Sequence, residues 1–287
     1  MLVIETITEL RLVLDAMRRK ANKIGLVPTM GGLHRGHMEL VKQAKRRGSV
    51  VVSIFVNPTQ FGQNEDLDTY PRDLPSDIAL CEKHGVDIVF APSVTEIYPA
   101  PMGTIVDVEP LSNILIGVLR PGHFKGVATV VTKLFNIVEP DVAFFGEKDF
   151  QQLAVIRRMV NDLSSRVDVV GVPTVRDDDG LACSTRNVKL TTDDRSSAIV
   201  VPNALRLAEL MISNGERDTS IIRNAIETMI QNVPNAVVQS VDICDVKTLQ
   251  AVTKIGHDPV VALIAVKFGE VSLIDQIVVE ANDGTLQ

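Results

Sequence analysis

Two histidines three residues apart, His34 and His37, stand in the run Pro28-Thr29-Met30-Gly31-Gly32-Leu33-His34-Arg35-Gly36-His37. A short apolar segment precedes the run and a helical pattern follows it. Such a strand-to-helix turn leaves backbone N–H groups unpaired beside the positive end of a helix dipole, which suits an anion. Gly31 and Gly32 let the backbone approach a ligand with no Cβ in the way. At this spacing the two imidazoles share one face of the first helical turn, where they can donate hydrogen bonds to a phosphate that gains charge in a transition state. An HxxH pair by itself is most often two ordinary loop and helix residues. A zinc site would require a third ligand. Here the glycines, the strand before and the helix after agree on phosphate.

Four further loops bring polar residues to the ends of apolar segments. Asn57-Pro58-Thr59-Gln60-Phe61-Gly62 offers two carboxamides to a substrate's hydroxyls and carboxylate, or reads as a plain Asn-Pro turn. Arg120-Pro121-Gly122-His123-Phe124-Lys125-Gly126 comes directly before a long helical pattern. Its positive charges oppose that helix's dipole, a cost an anionic ligand would remove. In Gly146-Glu147-Lys148-Asp149, Asp149 stands where it can cap the next helix and Lys148 where it can point a charge at phosphates. Gln151 and Gln152 follow, and Gln152 can reach a substrate from one turn into the helix. Asp178-Asp179-Gly180-Leu181-Ala182-Cys183-Ser184-Thr185-Arg186-Asn187 holds an Asp-Gly turn, two hydroxyls and a guanidinium. That set fits phosphate oxygens as well as it fits a solvated loop. Each loop says little alone; together they favour a nucleotide site.

The elements that must position these loops follow a regular grammar. Thr6 and Glu9 have capping-box spacing before Leu10, Val13, Leu14 and Met17, which repeat at helical intervals. Residues 24–27 form a short apolar run ended by Pro28, and Leu33, His37, Leu40, Val41 and Ala44 mark the inner face of the next helix. Residues 50–56 are apolar without alternation, as in a parallel strand covered on both faces. A helix over 75–84 with Gly85 past its end, a strand over 87–91, a helix over 127–138 stopped at Glu139-Pro140, and a strand over 142–145 come next. A helix from about 149 to 163 then leads to a strand over 167–175. Strands alternating with helices predict an α/β fold with a doubly wound, parallel, Rossmann-like sheet, which binds ligands at the C-terminal ends of its strands. Beyond this point helical patterns over 193–213, interrupted at Pro202, and over 219–231 precede strand-like runs at 237–243, 260–266 and 272–279. They predict a second, smaller α+β domain with an antiparallel sheet. The division expected is 1–174 and 175–287.

Bulk properties exclude several classes. Hydrophobic residues at 45% and charged residues at 23% are those of an ordinary globular chain, so disorder and fibres are set aside. A net charge of -7 disfavours a nucleic-acid surface, which needs a basic stripe. Cys81, Cys183 and Cys244 contain no CxxC pair, and no disulfide framework is expected. No apolar run approaches the roughly 18 residues of a membrane span, and the N-terminus lacks signal-peptide features. A cytoplasmic chain with no membrane partner is the expectation.

On these residues the sequence resembles the pantothenate synthetase (pantoate–β-alanine ligase) family. The matching segments are PTMGGLHRGH, FVNPTQFG, YPRDLPSD, VDIVFAPSVTEIYP, RPGHFKGVATVVTKLFNIVEPD, FGEKDFQQL and GLACSTRN, in family order from about residue 24 to 190. The HxGH-type loop alone would indicate only the wider nucleotidyltransferase superfamily, and a cytidylyltransferase or another adenylate-forming ligase is the alternative. The resemblance implies ATP-dependent condensation of (R)-pantoate with β-alanine through a pantoyl adenylate, giving pantothenate, AMP and pyrophosphate, with Mg2+ accompanying ATP. By motif match, Met30 to His37, Gly146 to Asp149, Val175 and Cys183 to Arg186 contact ATP. His34, His37, Lys148 and Arg186 carry the catalysis, His37 as the family's proton donor. Gln60, Gln152, Asn57, Arg120 and His123 match the pantoate and β-alanine pocket, and Asp77 matches a magnesium-associated position. A homodimer and a closing C-terminal lid domain are further implications. This chain departs from the family pattern at Cys183 and Thr185, where MSSRN is usual, at Ile116, where Glu is common, and at Ser76, where some members have Asp.

Overall fold

The computed structural model describes residues 1–63 and 65–280, which divide into two compact units between Val175 and Arg176. The first unit runs β1 (Leu2–Ile4), α1 (Ile7–Arg18), β2 (Ile24–Thr29), α2 (Arg35–Lys45), β3 (Ser49–Ile54), α3 (Leu74–Lys83) and β4 (Ile88–Phe90). It continues with two short helices, α4 (Val94–Ile97) and α5 (Ile116–Leu119), then α6 (His123–Val138), β5 (Val142–Gly146), α7 (Phe150–Asp162) and β6 (Asp168–Val172). All pairs in its sheet are parallel and the strand order is β1-β4-β3-β2-β5-β6. From β2 the chain moves outward through β3 and β4, then returns to the other side of β2 with β5 and β6. The order therefore reverses between β2 and β5, and the crevice beyond their C-terminal ends is where a doubly wound sheet takes a ligand.

Both faces of this sheet are covered, which explains why its strands do not alternate. Leu26, Val51, Ile88, Phe90, Ala143 and Phe145 pack with Leu10 and Leu14 of α1, Val131 and Leu134 of α6 and Ile156 of α7. The intervening residues Val27, Val50, Val52, Val89 and Phe144 pack with Met38, Val41 and Ala44 of α2 and Cys81 of α3. Each face alone would read as every second residue; together they read as continuous.

Local chemistry sets the ends. The Thr6 hydroxyl accepts the Glu9 N–H at 3.3 Å to start α1. Asp73 caps α3, Pro75 sits in its first turn, and Gly85 follows its end at φ +69°. Three expectations are corrected. Strand β2 does not stop at Pro28 but pairs with β3 through Thr29. Strand β5 pairs with β2 only at Gly25 and Leu26, so the missing proline N–H costs no bond on that side. Helix α6 begins at His123, not 127, because Gly122 at φ +83° turns the chain directly into it. Half of the expected Arg120–Gly126 loop is thus the helix's first turn. The strand expected over 167–175 is limited to Asp168–Val172. The three-residue β1, on the sheet's edge beside β4, carries too short a pattern to be read from sequence.

The second unit contains α8 (Thr192–Ser197), α9 (Val200–Ser213), α10 (Thr219–Gln231), β7 (Ala236–Asp245), β8 (Val260–Phe268) and β9 (Val271–Val279). Its sheet is antiparallel in the order β7-β8-β9. Ala204, Leu205, Ala208 and Ile212 of α9 and Ile222, Ile226 and Ile230 of α10 share a core with Val241, Ile243, Ile264 and Val266. Pro202 lies in the first turn of α9, just after the break from α8, where its missing N–H costs no helical bond. Among the described residues no helix is long and apolar enough to cross a membrane.

Candidate active site

The turn after β2 is held from both sides. Gly31 and Gly32 adopt φ +84° and +61°, and a Cβ on Gly31 would stand 3.0 Å from Asp77 Oδ2 and 3.1 Å from Ile54 Cγ2. Any other residue there would meet both backbone strain and a clash. From α3, the Asp77 carboxylate accepts the N–H of Gly32 at 2.9 Å and that of Leu33 at 2.7 Å. Burial raises the Asp77 pKa, the two backbone bonds oppose that rise, and Asp73 adds to it. The Thr29 hydroxyl donates to the Ser53 carbonyl at 2.7 Å and accepts the Gly31 N–H at 3.3 Å. Met30 is half-buried, and Leu33 packs against the α2 side of the sheet.

His34 is the N-cap of α2, and the histidines cap one another. His34 Nδ1 accepts the Gly36 N–H at 3.1 Å, and His37 Nδ1 accepts the His34 N–H at 3.2 Å. A backbone N–H can only donate, so both Nδ1 atoms are unprotonated and the ring proton resides on Nε2 in each. Burial lowers the His37 pKa well below its usual value, and the nearby His34 and Lys148 lower it further. The rings lie 4.1 Å apart between centroids. Arg35, at the start of α2, is exposed. The turn therefore presents a neutral imidazole hydrogen-bond donor at a helix N-terminus.

The loop after β5, across the switch point, carries Glu147, Lys148 and Asp149 in a single 3₁₀ turn. Lys148 keeps 17% of its side chain exposed and lies 3.5 Å from the Asp149 carboxylate. Asp149 precedes α7 but makes no side-chain cap, which corrects the capping expectation: its carboxylate is beside Lys148 instead. On α7 the adjacent glutamines divide their work. Gln151 is buried, donates to the carbonyls of Leu111 at 2.8 Å and Ile114 at 2.7 Å, and accepts the Ile116 N–H at 3.1 Å. Gln152 is half-buried, and its side chain has no hydrogen bond among the described residues.

The turn after β3 is packed against the first turn of α6. A Cβ on Gly126 would fall 2.4 Å from the Thr59 carbonyl oxygen and 2.6 Å from Gln60 Cα, so only glycine permits this contact. Asn57, 1% exposed, has both side-chain polar atoms engaged inside the protein. Its Oδ1 accepts the Thr59 N–H, the Thr59 hydroxyl and the Tyr98 hydroxyl. Its Nδ2 donates to Gly126 O and to Gln60 Oε1. His123 Nδ1 donates to the Gln60 carbonyl at 2.9 Å while its Nε2 accepts from Arg120 at 3.2 Å. Burial, and then the Arg120 charge, lower the His123 pKa to about 4. Arg120 pairs with Glu65 and also donates to the Gln60 carbonyl at 3.4 Å. Of the residues expected here, Gln60 and Gln152 keep amide groups available; Asn57, Arg120 and His123 hold Gln60 in place.

In the second unit, Arg176 and Ala182 form an antiparallel bridge closed by the Gly180 turn at φ +92°. Arg176 makes a two-pronged ion pair with Asp275 at 2.6 and 2.9 Å, and Arg195 joins Asp179 at 2.7 Å and Asp177 at 3.1 Å. Cys183 donates to Asp177 at 3.6 Å. Ser184 caps the 3₁₀ turn Thr185–Lys189 by accepting the Arg186 N–H at 3.3 Å. Val175, half-buried, ends the first unit.

Sequence reasoning missed the supporting roles of Thr29, Glu65, Tyr98, Gly126 and Gln151. Gly126 reads as the end of a loop, and its close approach to Thr59 is visible only once α6 begins at His123.

A family model described as pantoate-beta-alanine ligase matches residues 2–278 of this chain. A pantothenate synthetase of Sinorhizobium medicae is 55% identical over 97% of the chain and 96% of the relative. One of Brucella canis is 52% identical over the same shares. A crystal structure of pantoate-beta-alanine ligase (pantothenate synthetase) from Thermus thermophilus superposes with a TM-score of 0.91 at 46% identity, covering 96% of this chain and 99% of that one. The Francisella tularensis pantoate-beta-alanine ligase complexed with beta-gamma ATP and beta-alanine gives a TM-score of 0.81 at 34% identity, covering 96% and 97%.

Proposed function

This chain belongs to the pantoate–β-alanine ligase family, and from that premise we propose that it joins pantoate to β-alanine by way of a pantoyl adenylate formed at the His34–His37 turn. The chain is an ATP-dependent, pantothenate-forming ligase. The observation that carries the mechanism is the mutual cap of the two histidines, which fixes a donor proton on Nε2 of each.

In the first step a pantoate carboxylate oxygen attacks the α-phosphorus of ATP, and the bond from that phosphorus to the β-phosphate oxygen breaks with its electron pair. No proton need move. What must be met is charge spreading over the α-phosphate oxygens and the departing pyrophosphate. The Nε2–H groups of His34 and His37, the Lys148 ammonium and the α2 N-terminus are suited to that charge. The family resemblance makes His37 a proton donor. Its lowered pKa and its Nδ1 acceptor role favour a neutral hydrogen-bond donor that keeps its proton. In the second step the β-alanine amine attacks the acyl carbon, AMP departs, and the nitrogen loses a proton to solvent or to the leaving phosphate.

We assign Gln60 and Gln152 to pantoate, with Asn57, Arg120 and His123 as the frame that seats Gln60. Met30, Gly31, Gly32, Leu33, Arg35, Gly36, Gly146, Glu147, Asp149, Val175, Cys183, Ser184, Thr185 and Arg186 are ATP contacts by motif match. Magnesium enters with ATP as part of the substrate. Because both Asp77 oxygens hold the glycine turn, we assign the ion to phosphate oxygens and Asp77 to the turn. The functional division at 174 and 175, with the smaller part as a lid, the homodimer and a cytoplasmic location belong to the same proposal by family resemblance.

Pantoate carrying heavy oxygen in its carboxylate tests the mechanism. Attack on the α-phosphorus delivers one labelled oxygen to AMP. Unlabelled AMP, with all label retained in pantothenate, would exclude the adenylate.

A further inference from the structure

We propose that Tyr98 is a positioning residue for pantoate: its hydroxyl holds Asn57 in the orientation that sets which end of the Gln60 amide faces the substrate. The inference rests on the assignment of Gln60 to pantoate.

A carboxamide looks nearly symmetric in shape but not in chemistry, since its oxygen accepts and its nitrogen donates. Something must decide which end faces out. For Asn57 the decision comes from groups with fixed polarity. The backbone N–H of Thr59 reaches one end at 3.3 Å, so that end is the oxygen. The backbone carbonyl of Gly126 lies 3.2 Å from the other, so that end is the nitrogen. Tyr98 adds the shortest bond of the set, its hydroxyl donating to Asn57 Oδ1 at 2.8 Å. Burial raises the Tyr98 pKa, so the hydroxyl keeps the proton it donates.

Asn57 passes its polarity on. Its Nδ2 donates to Gln60 Oε1 at 3.1 Å, which occupies the carbonyl end of Gln60. The Nε2 end of Gln60 has no hydrogen bond among the described residues and is not one of the buried unpaired atoms. It is left as a pair of N–H donors for an acceptor. The chemistry that this arrangement recognises is an oxyanion or ether-like oxygen, here a carboxylate or hydroxyl oxygen of pantoate. A reversed Gln60 amide would present a carbonyl to a carboxylate and repel it.

Tyr98 itself is held as a ring and a hydroxyl separately. The ring lies 6.1 Å from Phe55 between centroids and under the Lys133 ammonium at 5.5 Å, contacts that phenylalanine retains. Tyr98→Phe therefore removes the donor and keeps the packing.

The test compares steady-state constants for Gln60→Ala, Tyr98→Phe and Asn57→Asp with those of the wild-type enzyme. Tyr98→Phe is expected to raise KM for pantoate about 5-fold, the factor equivalent to one lost neutral hydrogen bond, with kcat and KM for ATP nearly unchanged. Asn57→Asp, which offers Gln60 a second acceptor in place of a donor, is expected to raise KM for pantoate by roughly 50-fold or more. The Gln60 side-chain amide resonances should shift on adding pantoate to Tyr98→Phe at proportionally higher concentration. If Gln60→Ala leaves KM for pantoate unchanged, the assignment of Gln60 has failed. If Gln60→Ala raises it and Tyr98→Phe does not, or if Tyr98→Phe changes all constants alike, the positioning role of Tyr98 is overturned and the assignment of Gln60 stands.

Discussion

Asp77 holds Leu33 from 44 residues away: one carboxylate oxygen accepts the Leu33 backbone N–H at 2.7 Å while the other takes that of Gly32. The glycine turn is thus built by α3 as much as by its own residues. Asp77→Asn can accept only one of these N–H groups and turns its own amide nitrogen against the other. We expect a stability loss of about 1–3 kcal/mol and KM for ATP raised roughly 10-fold. Titrating magnesium decides the role, because excess magnesium should restore nothing. Recovery at high magnesium would make Asp77 a metal ligand.

His37→Asn separates the two functions of that residue. The asparagine oxygen can replace Nδ1 as acceptor for the His34 N–H, but nothing replaces the Nε2 donor. Stability should change by less than about 1 kcal/mol, while kcat falls by roughly 10²–10³. Because the wild-type His37 pKa is lowered, kcat/KM for ATP should stay level as pH falls through the usual histidine range. An acidic limb centred near an ordinary histidine pKa would point to an imidazolium instead.

His123 gives stability a pH dependence. Its folded pKa is about 4, below the ordinary 6.5, so the unfolded chain takes the proton first. The contribution is fully present above the unfolded pKa and is lost as pH falls toward the folded value, by roughly 2 kcal/mol at pH 5. Urea denaturation at pH 7 and pH 5 should show this loss in the wild type and lack it in His123→Gln. Equal pH sensitivity in both would place the titration elsewhere.

Gly126→Ala probes the seat of Gln60. The added methyl meets the Thr59 carbonyl oxygen at 2.4 Å, so the 58–60 turn must shift. The expected cost is about 1–3 kcal/mol, read by thermal unfolding, with KM for pantoate raised more than KM for ATP. An unchanged KM for pantoate would show that the turn's position is not critical.

The layout of the sheet was legible because burial on both faces leaves an apolar signature without alternation, as in residues 50–54 of the expected 50–56 run, and because glycines and prolines mark the turns. The start of α6 was not, since Gly122, His123 and Gly126 read locally as a loop; the positive-φ turn at Gly122 starts the helix at His123. Motif reading brought Asn57, Gln60, Arg120 and His123 together but could not rank them. An amide that meets substrate and one that orients its neighbour have the same composition. The split between Gln151 and Gln152 is of the same kind, decided by which side of α7 meets the 111–116 segment. The magnesium role of Asp77 rests on its motif match alone, and its bonds to Gly32 and Leu33, 45 and 44 residues away, leave no local sequence signature.

The central claim is that pantoate is activated before the amine enters. Enzyme in stoichiometric amount, mixed with ATP, magnesium and pantoate in the absence of β-alanine, should release about one pyrophosphate per active site, as expected where positioning and charge stabilisation carry the chemistry. No pyrophosphate until β-alanine is added would contradict it.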